Sequence, residues 1–256
     1  MTEIRGLYTL WLREVKRYLR DRVRIVSSFV QPVLWLVIFG TGIRFSAEVS
    51  NVPSPQAYIF PGIIGQTLLF TSMFMGISVI WDREFGFLKE ILVAPISRMS
   101  IFLGKMLGDS TDAVIQGILV FLLGILLGIR IDAIMFVEIL PIMLLTTFGL
   151  VSLGLTIASF IENLESFGAV QSFINLPLFF LSGALFPVSV IDVPSWLQVA
   201  ANFNPLTYGV DALRIITLGT AWVPGPLHPL YLDLLVICGF DIFMIVAGTL
   251  AFSRKK

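Results

Sequence analysis

The chain has 256 residues, of which 57% are hydrophobic and 13% charged, with a mean hydropathy of +0.93. Soluble domains carry roughly 45–50% apolar and about 25% charged residues, so this composition marks an integral membrane protein. Seventeen basic and seventeen acidic residues cancel, which leaves no electrostatic footprint for nucleic acid. One cysteine, Cys238, excludes an internal disulfide, and no Cys/His cluster with metal spacing exists. The single histidine, His228, sits between prolines and reads as an incidental loop residue.

Residues 1–24 are charged and amphipathic, so no cleavable signal peptide is expected and the first span serves for targeting. Leu7, Leu10, Trp11, Val15 and Tyr18 share one helical face, while Arg13, Lys16, Arg17 and Arg20 lie mostly around the other. That pattern predicts an interfacial helix in the headgroup plane, its cations drawn to anionic lipid.

Six apolar runs follow, near 25–43, 57–81, 106–129, 134–160, 167–186 and 229–252. Each approaches or exceeds the ~20 residues that a helix needs to cross ~30 Å of hydrocarbon. Prolines 32, 61, 141 and 177 interrupt several of them, which membrane helices tolerate when neighbours satisfy the freed carbonyls. Fourteen of the seventeen Lys and Arg residues fall in the N-terminal segment, the 82–105 loop or the tail; Arg44, Arg130 and Arg214 fall on the other side. The positive-inside rule then places both termini and that loop in the cytoplasm, as six spans require.

Between runs two and three, residues 82–98 form a charged interruption. Phe87, Leu88, Ile91 and Leu92 share one helical face, and Arg83, Glu84, Lys89 and Glu90 take the rest. Pro95 ends this short helix by withholding a backbone donor and pushing Ala94 out of the α region. The segment is either a solvated loop or a lever that a soluble partner pushes.

Beyond run five, Asp192 and Pro194 can start a short helix carrying Trp196, Leu197 and Ala200. Asn204-Pro205 starts a second, over Leu206–Leu218, with Asn as cap, Pro in the first turn and Gly219 as the stop. Neither is long enough to span, so the pair reads as re-entrant over 187–220 or as an external helical hairpin.

Asp241 lies mid-span in the last run, where an ionised carboxylate costs about 2.5–3.5 kcal/mol. It is a proton or cation site, or a packing contact. Asp109 and Asp112 start span three and are expected in headgroup water near Lys105. Gln66, Gln171 and Asn175 add uncharged polar groups at membrane depth that line a pathway or join helices.

No phosphate-cradling loop, nucleophile elbow or metalloprotease motif is present, so any ATP hydrolysis belongs to another chain. The loop Trp81-Asp82-Arg83-Glu84…Lys89-Glu90-Ile91-Leu92-Val93-Ala94-Pro95 resembles that of the type-2 ABC exporter permeases. So do Leu181-Ser182-Gly183-Ala184-Leu185-Phe186-Pro187 and Asn204-Pro205-Leu206-Thr207-Tyr208-Gly209-Val210-Asp211-Ala212-Leu213-Arg214. The likeness covers essentially the whole chain and is closest to daunorubicin-resistance and nodulation-factor exporter permeases.

The resemblance implies an all-α, six-span domain over 25–256, with a coupling helix at 83–94 and a re-entrant pair before span six. It implies that Arg83, Glu84, Phe87, Leu88, Glu90, Leu92 and Pro95 meet a cytoplasmic ATPase, which binds the ATP and Mg that this chain does not. It further implies a second permease copy, a homodimer, in the cytoplasmic membrane lipid. Spans two and five would line the pathway, making Gln66, Phe70, Met73, Phe173 and Asn175 candidate lining positions. The expected cargo is a hydrophobic or amphipathic compound, for which the 22 Phe and 8 Met offer an adaptable path. A self-contained secondary transporter or channel using Asp241 is the alternative.

Overall fold

A computed structural model describes residues 2–42, 55–87, 93, 95–126, 132–186, 188, 194–220 and 226–253. These form ten helices and no strand: α1 (Thr2–Arg20), α2 (Arg22–Gly42), α3 (Pro55–Met75), α4 (Ile77–Glu84), α5 (Arg98–Leu126), α6 (Ala133–Phe160), α7 (Leu164–Phe180), α8 (Ser195–Phe203), α9 (Pro205–Leu218) and α10 (Leu230–Ser253). The fold is all-α, as the apolar runs predict. Leu88, Glu90 and Leu92 of the expected coupling helix lie outside the described residues.

Four helical stretches among the described residues have the length and apolarity to cross a membrane: Ala57–Glu84, Arg98–Ile125, Ala133–Phe160 and Leu230–Ser253. The first and fifth apolar runs are helical but shorter. α7 has 17 residues, roughly 26 Å of rise, before the chain turns at Leu181.

α3 and α4 form the centre. Their joint span is 78% buried, against 28% for α10, whose Leu235, Ile242 and Phe243 face outward. Hydrocarbon surroundings supply no hydrophobic drive between helices, so close packing of small residues must hold the bundle. At the α3/α4 break, Gly76 meets Gly154 of α6 so closely that a Cβ on Gly76 would lie 2.6 Å from the Gly154 carbonyl oxygen. The helix makes a tightened turn there, with the Gly76 N–H donating to Met73 O at 3.2 Å. Tyr58, Phe60, Leu68, Phe121, Met143 and Phe179 fill one part of the core, and Phe102, Val151, Leu155, Phe167 and Phe252 fill the part nearer the termini.

α1 does not stand apart as a surface helix. It packs along the start of α5, where Gly104 and Gly108, one turn apart, leave room for Leu10 and Glu14. Trp11 Nε1 donates to Thr111 at 3.0 Å and Tyr18 Oη donates to Gln116 at 2.7 Å. The expected inward face is present, but Glu14 lies within it and is buried.

α9 is also interior. All residues from Leu206 to Arg214 are buried, against α3, α6 and α10, so it is no external hairpin arm. α8 is largely uncovered, with Trp196, Val199 and Phe203 exposed.

Candidate functional site

Three features carry functional potential: a charged junction at the basic end of the bundle, a largely apolar cavity with uncharged polar groups beside it, and a closure at the opposite end.

At the junction, Lys105 of α5 is fully buried and donates to Asp82 of α4 at 2.6 Å and to Glu14 of α1 at 3.1 Å. Arg13 donates to the other oxygen of Asp82, while Arg17 lies 3.8 Å from Glu14 and stacks over the Trp81 ring at 5.0 Å. Three segments separated in sequence thus share one ion lattice. Burial of charge is tolerated because each of the buried ions, Lys105, Asp82 and Glu14, has an opposite charge within hydrogen-bond reach. Asp109 and Asp112 are buried beneath α1, which corrects the expectation that they sit in headgroup water. Lys105 donates to Glu14 and Asp82, and the charge of Asp109 acts on it as well.

The chain leaves this lattice through Gly86, whose φ of 81° reverses its direction at little steric cost. It returns at Ser97, whose N–H and hydroxyl both donate to Glu3 of α1, at 3.0 and 3.1 Å, while Ile96 packs on Gly6. One helix therefore grips both roots of the 83–96 segment. The Ser100 hydroxyl and the Ser97 backbone N–H hold the Glu3 carboxyl below the usual carboxylate range.

Among the described residues between these roots, Phe85, Phe87, Val93 and Pro95 are exposed, as is Glu84. Arg83 does not join them. It turns inward and donates to Ile161 O at 2.9 Å and Ser159 O at 3.4 Å, satisfying carbonyls at the end of α6.

The cavity measures about 250 Å³ and lies among α1, α2, α3, α5 and α7. Gln31, Gln66, Gln116, Gln171, Thr67 and Phe70 line part of it, and no lining residue carries a charge. The structure thus brings Gln66, Phe70 and Gln171 together. Met73 packs in the core instead, Asn175 is buried elsewhere on α7, and Phe173 projects from the outside of the chain.

At the opposite end the chain turns sharply after α7. Ser182 donates to Phe179 O at 2.7 Å and accepts from Ala184 N at 3.2 Å, and Gly183 takes φ 72°. Arg214 of α9 donates to Gly183 O at 3.0 Å and Ala184 O at 3.3 Å, with its guanidinium 4.3 Å over the Tyr58 ring. Asn204 caps α9 through Leu206 N at 3.0 Å and donates to Leu178 O at 2.6 Å. α3 approaches so closely that a Cβ on Gly62 would fall 2.0 Å from Ala184 O.

The sequence profile of the ABC-2 type transporter matches residues 5–218. The chain belongs to the ABC-2 type transporter family. A transport permease, ycf38, of Cyanophora paradoxa is 34% identical over 229 residues, covering 86% of this chain and 77% of that protein. Nodulation protein J of Rhizobium leguminosarum bv. viciae is 24% identical over 90% of this chain and 87% of its own. A protein named as the doxorubicin resistance ABC transporter permease DrrC of Mycobacterium tuberculosis is 24% identical over 95% of this chain and 87% of its own. The family resemblance read from the loop and late motifs is therefore shown, and ABC-2 permeases are the transmembrane subunits, not the ATPases.

In this ABC-2 permease the late motif now has a physical content. Its Ser, Gly, Asn and Arg residues are the atoms that fasten α7 to α9. The junction was harder to read. Glu14 occupies the apolar stripe of α1 at the same spacing as Leu7, Leu10, Val15 and Tyr18, and that misplaced acid was its one signal. Asp241, the mid-span acid, lies with its carboxylate against the Gly149 backbone of α6, where a Cβ on Gly149 would be 2.5 Å away.

Proposed function

We propose that the chain is the permease subunit of an ATP-driven exporter in the cytoplasmic membrane, with both termini cytoplasmic. It moves a hydrophobic or amphipathic compound outward, energised by a separate ATPase that docks on residues 83–94. The observation that carries this reading is the exposed apolar segment of Phe85, Phe87 and Val93, gripped at both roots by α1. A soluble partner pressing on it would load α4 through Asp82 and α5 through Ser97 together. A buried ion lattice transmits such a push because its charges lose their partners if the helices move singly.

The fourteen-to-three distribution of basic residues supports the orientation. The names of the relatives support transport, and drug-type cargo in one of them. The uncharged amides and aromatics of the cavity suit a neutral amphipathic molecule, with Gln66 and Phe70 as contact residues. The exposed Phe173 of α7 is available to a second copy in the proposed assembly, and Asn175 shares that helix. A homodimer with lipid around it completes the proposed assembly. The alternative of a gradient-driven transporter rests on Asp241 alone.

Co-purification from native membranes tests the docking site. A stoichiometric ATPase is expected with the wild-type chain and is expected to be lost with Leu88→Asp, while Glu90→Arg leaves ATP hydrolysis uncoupled from transport. Retention of full transport by Leu88→Asp would remove the lever assignment.

A further inference from the structure

At the end of the bundle opposite the basic residues, three potential ligands converge from separate elements. They are Asp211 on α9, His228 in the loop before α10, and Asp233 in the first turn of α10. One ligand atom from each lies within 4.8 Å of the other two. Asp211 is anchored by the backbone N–H of His228, at 2.8 Å, and the imidazole is held flat by stacking on Tyr208, ring centroids 5.0 Å apart. Loop and helices therefore present these groups on a fixed frame.

A second observation points to a ligand. Asp233 is fully buried, yet among the described residues neither of its carboxylate oxygens accepts a hydrogen bond, and neither does Nδ1 of His228 have a partner. Nδ1 and Oδ1 face each other at 3.7 Å, too far for a hydrogen bond and close to the separation of two ligands on one ion. Two carboxylates buried side by side are costly, and Asp233 is the one left without a hydrogen bond. Arg214, further along α9, acts on Asp211 through its charge while donating hydrogen bonds to Gly183 O and Ala184 O.

We propose that Asp211, His228 and Asp233 form a divalent-cation site of the zinc class. Two carboxylates neutralise the ion, a neutral imidazole completes a three-residue set, and a water takes the fourth position. An imidazole with two carboxylates selects a borderline transition metal over calcium, which favours an all-oxygen shell. The side chain of His228 is 19% exposed, so the site is reachable from solvent at that end. A bound ion would clip α9, the loop at 226–229 and α10 together, fixing the closure around the Arg214 turn. This does not depend on which way cargo moves.

The test uses the full chain in detergent, carrying a tag without histidines, stripped with EDTA and returned to zinc chloride before gel filtration. About one zinc per chain is expected by elemental analysis, together with a higher melting temperature in zinc than in EDTA. Asp233→Asn and His228→Gln are each expected to lower zinc affinity by at least ~100-fold, since even loss of an outer-shell partner costs 10–100-fold. His228→Gln alters a partly exposed loop residue, so it remains informative if Asp233→Asn does not fold. The proposal is overturned by a chain that retains no zinc, by equal retention in His228→Gln, or by preference for calcium.

Discussion

The two ends of this bundle are fastened by different forces. At the basic end, five ions from three segments share one lattice, centred on a Lys105 without solvent exposure. At the other, one guanidinium and one amide hold the backbone carbonyls of a turn. In a lattice of full charges the loss of one ion weakens several others at once, because Asp82 and Glu14 share the same cations. A set of hydrogen bonds to carbonyls loses its members singly. The lattice therefore suits an end that must move as a block, and the carbonyl clamp suits one that opens locally.

The sharpest way to break this contrast is Lys105→Met. It removes the fully buried cation of the lattice, leaving Asp82 to Arg13 and Glu14 to Arg17 at 3.8 Å, and is expected to cost about 3–5 kcal/mol, read as a large drop in melting temperature. Combining it with Asp82→Asn and Glu14→Gln should recover most of the loss; failure to recover would show that Lys105 acts by shape and not by charge compensation. Arg214→Met is expected to cost less, about 1.5–3 kcal/mol, the range for hydrogen bonds to a charged group. Arg214→Lys should recover only part of this, since an ammonium can donate to the two carbonyls that Nη2 reaches but cannot reproduce the flat stack of the guanidinium on Tyr58. Equal stability of Met and Lys variants would argue against the clamp.

Asn204→Ala removes the cap of α9 and should cost about 1 kcal/mol, with faster hydrogen exchange confined to the first turn of that helix. If exchange also rises around Lys105, the two ends are not independent. The smallest effect belongs to Glu3. Its carboxyl titrates below the usual range, so its clamp on Ser97 is present above the ordinary Glu value near ~4.3 and is lost as pH falls through the lower folded value. Proteolysis after residue 83 should accelerate over that acidic window in the wild type and be constant in Glu3→Gln.

How much was legible beforehand follows the same division. The apolar runs placed the long helices α6 and α10 within a residue or so, because period and length are local properties of the chain, whereas α5 begins eight residues before its run, in the polar stretch that α1 covers. Asn204-Pro205 and Gly219 bounded α9 as read, since a cap accepts bonds from its own first turn. Gln66 and Phe70, one turn apart on α3, line the same cavity, and Gln31 and Gln116 join them only through the packing of α2 and α5. His228 looked incidental in a loop between prolines, and its two acids stand 17 and 5 residues away.

By itself, the sequence determined that this is a membrane protein, which segments are helical, which end is basic and which motifs mark its family. Each of these is fixed by composition, periodicity or residues adjacent along the chain. Tertiary structure alone decided that Lys105 meets Glu14 across 91 residues, that Arg214 meets Gly183 across 31, and that Arg83 turns into the bundle. The physical reason is that a charge has no directional preference along its own helix. Its partner is chosen by whichever opposite group the packing of small residues brings within about 3 Å.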